Sequence, residues 1–237
     1  MDQRLVRIVN VTRDEKGQAP SPQLTLLASG DETPIEEDLL VLLHEIERRL
    51  PRSWPVTIQL MGPRGGEGTS TVVEALARCC CQRLGMNVLL LRLSQEPRPL
   101  DGPRSSKISL ELEDLDYLDS YVTELPREEG RYRELTLGSR AAAALRNSKR
   151  ERERLVETLN PLSDVTWIDA PPALTANDGL LMAPVVHGTV LVVEAEGTRE
   201  PVGAAAVARI RQSGAPLLGV LFNKRRYYIP DVLYRML

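Results

Sequence analysis

Aromatic side chains are scarce in this 237-residue chain, at 4% of residues. The core must therefore be built from Leu, Val, Ile and Ala rather than from rings. Cysteine is confined to the consecutive Cys79, Cys80 and Cys81. Neighbours on a helix point in different directions, so three in a row cannot close one metal site, and no CxxC pair or disulfide framework exists. They read as small packing residues of a helix in a reducing compartment. An excess of positive charge is also missing: the formal net charge is −3, which argues against nucleic acid as the main partner. No apolar run approaches the ~20 residues that span a bilayer. The opening "MDQRLVRIVNVTRDEKG" is charged throughout, unlike a secretory leader. A cytoplasmic location is expected, with any recruitment to the inner membrane made through a partner.

What is present is ordinary for a globular domain: 42% hydrophobic and 27% charged residues, in a length that suits one large α/β unit. Residues 1–35 include the Gly/Pro/Ser-rich "DEKGQAPSPQ" and read as an extension or linker ahead of a single domain, 36–237. "PIEEDLLVLLHEIERRLP" predicts a helix with acids at its start and arginines at its end, stopped by proline. Beyond it, "VTIQLM", "NVLLLRL", "DVTWIDA", "HGTVLVVEA" and "PLLGVLFN" read as buried strands. "TSTVVEALARCCCQRLG" and "EPVGAAAVARIRQSG" read as helices closed by glycine. Apolar strands separated by helices predict a mostly parallel sheet covered on both faces. Residues 94–135 are charged and proline-bearing, and read as an excursion of weak secondary structure. A single helix over roughly 138–159 should follow, solvated along "NSKRERERLVE".

The stretch "MGPRGGEGTST" lies between a strand and a helix, where a phosphate-binding GxxxxGK[ST] loop would lie. Glycines let backbone N–H groups approach phosphate oxygens, and the helix start adds positive potential. Gly65, Gly66 and Gly68 fit that cradle, with Glu67 between them and Thr71 at its far end. Ser70 fits the hydroxyl ligand of Mg²⁺. Thr69 stands in the lysine slot. A Gly-rich turn that serves packing alone is the competing reading. Asp169, ending the apolar "DVTWIDA", has the position of a carboxylate that reaches Mg²⁺ directly or through water, and favours a nucleotide-site origin. His44 and His187 have no spacing partner for a metal, and no GxSxG supports a serine nucleophile.

Taken together, "GPRGGEGTSTVVEALA", "NVLLLRLSQEP", "IDAPPAL" and "GVLFNKRRYYIP" resemble the cytoplasmic domain of bacterial tyrosine kinases (BY-kinases). These are capsular and exopolysaccharide biosynthesis proteins related to deviant Walker A P-loop ATPases. The resemblance runs from about residue 36 to the C-terminus. It implies a P-loop NTPase-like fold, ATP or ADP with Mg²⁺ at the loop, contact of Asn223 with adenine, and a homo-oligomeric assembly. It also implies a membrane polysaccharide co-polymerase or chain-length regulator as partner.

The departures matter as much. The family loop reads PGEGKST where this chain has Gly65 and Thr69. The family's Asp-x-Asp motif, which binds Mg²⁺ and activates the attacking hydroxyl, is replaced by Arg92 and Ser94. Its assembly arginines in the first helix fall at Leu40 and Leu43. Arg92 is expected to pair with Asp169 and substitute for the metal. Arg64 stands where the deviant class carries its signature lysine. It either supplies lost charge or is a solvated loop residue. Tyr227, Tyr228 and Tyr234 match a C-terminal cluster that related kinases phosphorylate. Interleaved with Ile229, Val232 and Leu233, they favour a docking segment. Losing one charged phosphate contact costs about 1.5–3 kcal/mol, and losing the metal-positioning acids as well removes transition-state stabilisation. The expectation is a non-catalytic, degenerate kinase-like protein of exopolysaccharide biosynthesis and export. A working ATPase or tyrosine autokinase with a non-standard loop is the alternative.

Overall fold

In a computed structural model, the residues described are 36–51, 53–93, 107–110, 132–137 and 139–224. The first helix, α1, spans Glu36–Arg49 and ends in Arg48 and Arg49, as its charge pattern requires. Strand β1 (Val56–Met61) leads through the glycine-rich loop into α2 (Thr69–Leu84), which Gly85 closes in a left-handed C-terminal turn. Strand β2 is Val88–Arg92, and β3 (Lys107–Leu110) and β4 (Tyr132–Leu137) follow. Helices α3 (Ser139–Asn147) and α4 (Lys149–Leu159) lead to β5 (Val165–Asp169). The short α5 (Asp178–Met182), β6 (Gly188–Glu194), α6 (Glu200–Gln212) and β7 (Leu217–Asn223) complete the described chain.

The seven strands form one sheet in the order β3-β4-β2-β5-β1-β6-β7. Every pairing is parallel, so the sheet goes beyond the mostly parallel arrangement that the sequence suggests. Alternation along the strands divides the core in two. Val88 and Leu90 of β2 join α1 and α2 on one face. Leu89 and Leu91 join α3, α4 and α6 on the other. Such two-sided burial explains why the central strands carry unbroken apolar runs.

Two readings of the chain are corrected. The segment 94–135, read as an excursion, contains β3 and most of β4, which extend the sheet beyond β2. Their sequences, "KISL" and "YRELTL", mix charge with apolar residues because this is the sheet's margin. The helix read over 138–159 is two. Ser148 takes an extended backbone conformation and accepts a hydrogen bond from the Glu151 N–H, starting α4 afresh. The extension 1–35, and the tail tyrosines Tyr227, Tyr228 and Tyr234, lie outside the described residues. No helix among the described residues is long and apolar enough to cross a membrane.

Candidate functional site

The site lies at the carboxyl ends of β1, β2, β5 and β7, the edge of a parallel sheet where ligands of this architecture bind. The loop that follows β1 is held by its own side chain. Buried Glu67 turns back, and its carboxylate accepts hydrogen bonds from the N–H groups of Arg64 (2.9 Å) and Gly65 (2.8 Å). The loop's carbonyls are taken from the other side by the end of β7. Asn223 Nδ2 donates to the Glu67 carbonyl at 2.9 Å, and Lys224 Nζ donates to the Gly66 carbonyl at 2.6 Å. Asn223 is thus committed to the loop backbone. Lys224 takes a left-handed backbone conformation, φ 56°, and its ammonium lies 3.8 Å from Glu194.

Thr69 opens α2 and Ser70 follows, with the exposed Thr71 behind. The Ser70 hydroxyl donates to the Asp169 carboxylate. Arg92 Nη1 donates to Asp169 Oδ2 at 2.8 Å, and Arg92 Nε donates to Glu134 Oε1 at 2.6 Å. The remaining nitrogen, Nη2, donates to Glu74. One guanidinium therefore faces three carboxylates, from β5, β4 and α2, with its side chain only 11% exposed. Arg92 and Asp169 are direct partners in the β2–β5 ladder, which places them side by side. Glu74 lies one helical turn beyond Ser70, on the same face of α2. Burial works against the Arg92 charge, yet Glu134, then Glu74 and Asp169, hold it above the ordinary arginine value. Burial also pushes the Asp169 carboxyl above its ordinary value, against the pull of the Ser70 hydroxyl and of Arg92.

Magnesium needs carboxylate oxygens and near-octahedral space. Here Asp169 Oδ2 is already bonded to a fixed cation, and Ser70 is turned to the same carboxylate. The residues present do not fit a metal ion, because a divalent cation would have to share Asp169 with the Arg92 guanidinium. Arg64 is exposed, and the loop uses its backbone N–H rather than its charge. The cation brought to the loop is Lys224 instead.

Sequence reasoning brought Arg92 and Asp169 together but missed Glu74, Glu134 and Lys224. Glu74 was legible as the residue one turn after Ser70. Glu134 lies in the stretch read as irregular, and Lys224 looks like any lysine after a strand. His187 is structural: its Nδ1 accepts from the Thr57 N–H at 2.8 Å, tying β1 to the start of β6. Cys79 and Cys80 are buried in α2, as the packing reading requires.

No protein-family model matches the chain, and no curated protein matches it in sequence. Solved structures match its fold. The kinase domain of Escherichia coli tyrosine kinase ETK superposes with a TM-score of 0.63 at 16% identity, covering 92% of this chain and 87% of that one. The BceF tyrosine kinase domain gives 0.60 at 25% identity, over 84% and 82%. A ParA family ATPase from Chlorobium tepidum gives 0.54 at 13% identity, over 70% and 72%. The chain thus has the P-loop α/β fold that bacterial tyrosine-kinase domains share with ParA family ATPases.

Proposed function

We propose that this chain is a degenerate BY-kinase-like domain, a pseudokinase that has left phosphoryl transfer and works by docking. Its setting is bacterial exopolysaccharide or capsule synthesis and export, as the partner of a membrane polysaccharide co-polymerase. The observation that carries the reading is the Arg92 guanidinium bonded to Asp169, Glu134 and Glu74. An arginine is charged at every accessible pH, so it neutralises Asp169 permanently, whereas a metal ion would arrive and leave with nucleotide. Thr69 adds to this, since a hydroxyl cannot neutralise an outer phosphate as the lysine of an active loop does.

The alternative, an active ATPase or autokinase, needs a cation to replace that lysine. The position of Arg64 gives it no support, because the side chain is exposed and bonded to no part of the loop. Nucleotide binding without turnover is compatible with the docking role. The decisive measurement is incubation of the purified chain with ATP and Mg²⁺, followed by assays for phosphate release and phosphotyrosine. Neither product is expected. Turnover that disappears in Asp169→Ala overturns the pseudokinase reading. Retention of the chain by the cytoplasmic segments of a co-polymerase, with or without nucleotide, tests the docking role separately.

A further inference from the structure

The glycine-rich loop already holds an anion, and the anion is its own. Glu67 Oε1 accepts the Arg64 N–H at 2.9 Å, and Oε2 accepts the Gly65 N–H at 2.8 Å, one carboxylate oxygen to each. A Cβ built on Gly62 would collide with that Oε2 and lie 3.0 Å from the Thr69 hydroxyl oxygen. The carboxylate thus lies between the residue that leaves β1 and the residue that opens α2, inside the turn the loop makes. Glu67 is only 6% exposed there. The carbonyls of Gly66 and Glu67 are held separately, by Lys224 Nζ and Asn223 Nδ2. The shape of the loop therefore does not rest on the Glu67 side chain alone.

Successive backbone N–H groups in such a turn form an anion-binding concavity, and they bond a charged acceptor more strongly than a neutral one. A phosphate entering this loop has to break the two Glu67 bonds or meet the carboxylate at close range. Like charges repel strongly where water is partly excluded. The BY-kinase loop PGEGKST carries the same glutamate, but two residues later its lysine supplies a cation. Here Thr69 supplies a hydroxyl, and the Arg64 side chain is exposed. We propose that the Glu67 carboxylate is a built-in plug, which stands in for a ligand phosphate at the loop and keeps phosphate-bearing ligands out. The inference rests on the reading of the loop as degenerate and adds what closes it. A docking surface built around a plugged loop has the same shape with nucleotide in solution or without it.

The test uses inorganic pyrophosphate as the probe, in EDTA at constant ionic strength, read through the amide resonances of Arg64 and Gly65. Glu67→Ala removes the carboxylate and keeps the carbonyl that Asn223 holds. It should bind pyrophosphate about 10- to 100-fold more tightly than the native chain, the worth of a hydrogen bond to a charged group. Both amides should shift saturably. Glu67→Gln keeps the size and loses the charge, and should fall between the two; it carries the test if the alanine variant does not fold. A side chain that only braced the loop would, on removal, loosen it and weaken anion binding. Pyrophosphate binding that is equal in the native chain and the variants, weaker in the variants, or absent from all of them overturns the plug. Those outcomes leave the pseudokinase reading standing, whereas phosphate release from ATP by the native chain overturns both.

Discussion

Arg92 holds together groups that would otherwise repel. Removing it leaves Asp169, Glu134 and Glu74 facing one another with no cation between them, two of the three nearly buried. Arg92→Ala should lower the unfolding free energy by about 3–5 kcal/mol, the range for stripping one partner from a buried ion pair, as read by urea denaturation. Arg92→Lys should restore only part of this, because a single ammonium cannot fork toward two strands and a helix as a guanidinium does. The Cys80 thiol offers a second test. Burial pushes it up to about 12 from an ordinary 9.0. The unfolded chain loses this proton first, from about pH 9 upward. The folded state therefore loses stability from this group between about pH 9 and 12 and is untouched by it below. Iodoacetamide at pH 8 should accordingly leave Cys80 unmodified in the native chain and label it after unfolding, as peptide mass spectrometry would show.

At the scale of elements, the most apolar segments were the most legible. The strands β1, β2, β5, β6 and β7 announce themselves by Val/Leu runs, and α2 by its place after a glycine-rich loop. Strand β4 does not, because its buried Glu134 is stabilised by Arg92, 42 residues away, and no local pattern carries that pairing. The break between α3 and α4 was hidden for the opposite reason: the sequence on both sides of Ser148 is helix-forming, and a single cap decides the outcome. Ser148→Ala should cost about 1 kcal/mol in denaturant unfolding, the usual worth of such a cap. The loop offers a paired comparison. Gly66 and Gly68 both have positive φ, 91° and 83°, so alanine at either meets the ~1–2 kcal/mol left-handed penalty. At Gly68 the new Cβ would also sit 2.4 Å from Asn223 Nδ2, whereas nothing lies within 4 Å of one at Gly66. Gly68→Ala should therefore be the more destabilising, and the difference should shrink in an Asn223→Ala background.

For the whole molecule, the fold and the residues of its altered loop could be read from the sequence, and the wiring between them could not. Asn223 and Lys224 reach back more than 150 residues to grip the loop, a connection created by the β6–β7 crossover alone. If Arg92 stands in for the metal, then Mg²⁺ by itself should leave the melting temperature unchanged, and differential scanning calorimetry with and without the ion checks this. The ladder that sets Arg92 opposite Asp169 has one more consequence. Strands apolar on both faces offer little to tell one alignment from the next, since a leucine slides past a valine at small cost. A shift of one residue would throw the guanidinium to the wrong side of the sheet and strand three acids without their counterweight. The charge cluster is thus a keyway cut into an otherwise greasy shaft: it lets β2 and β5 seat in a single alignment and rejects the neighbouring ones.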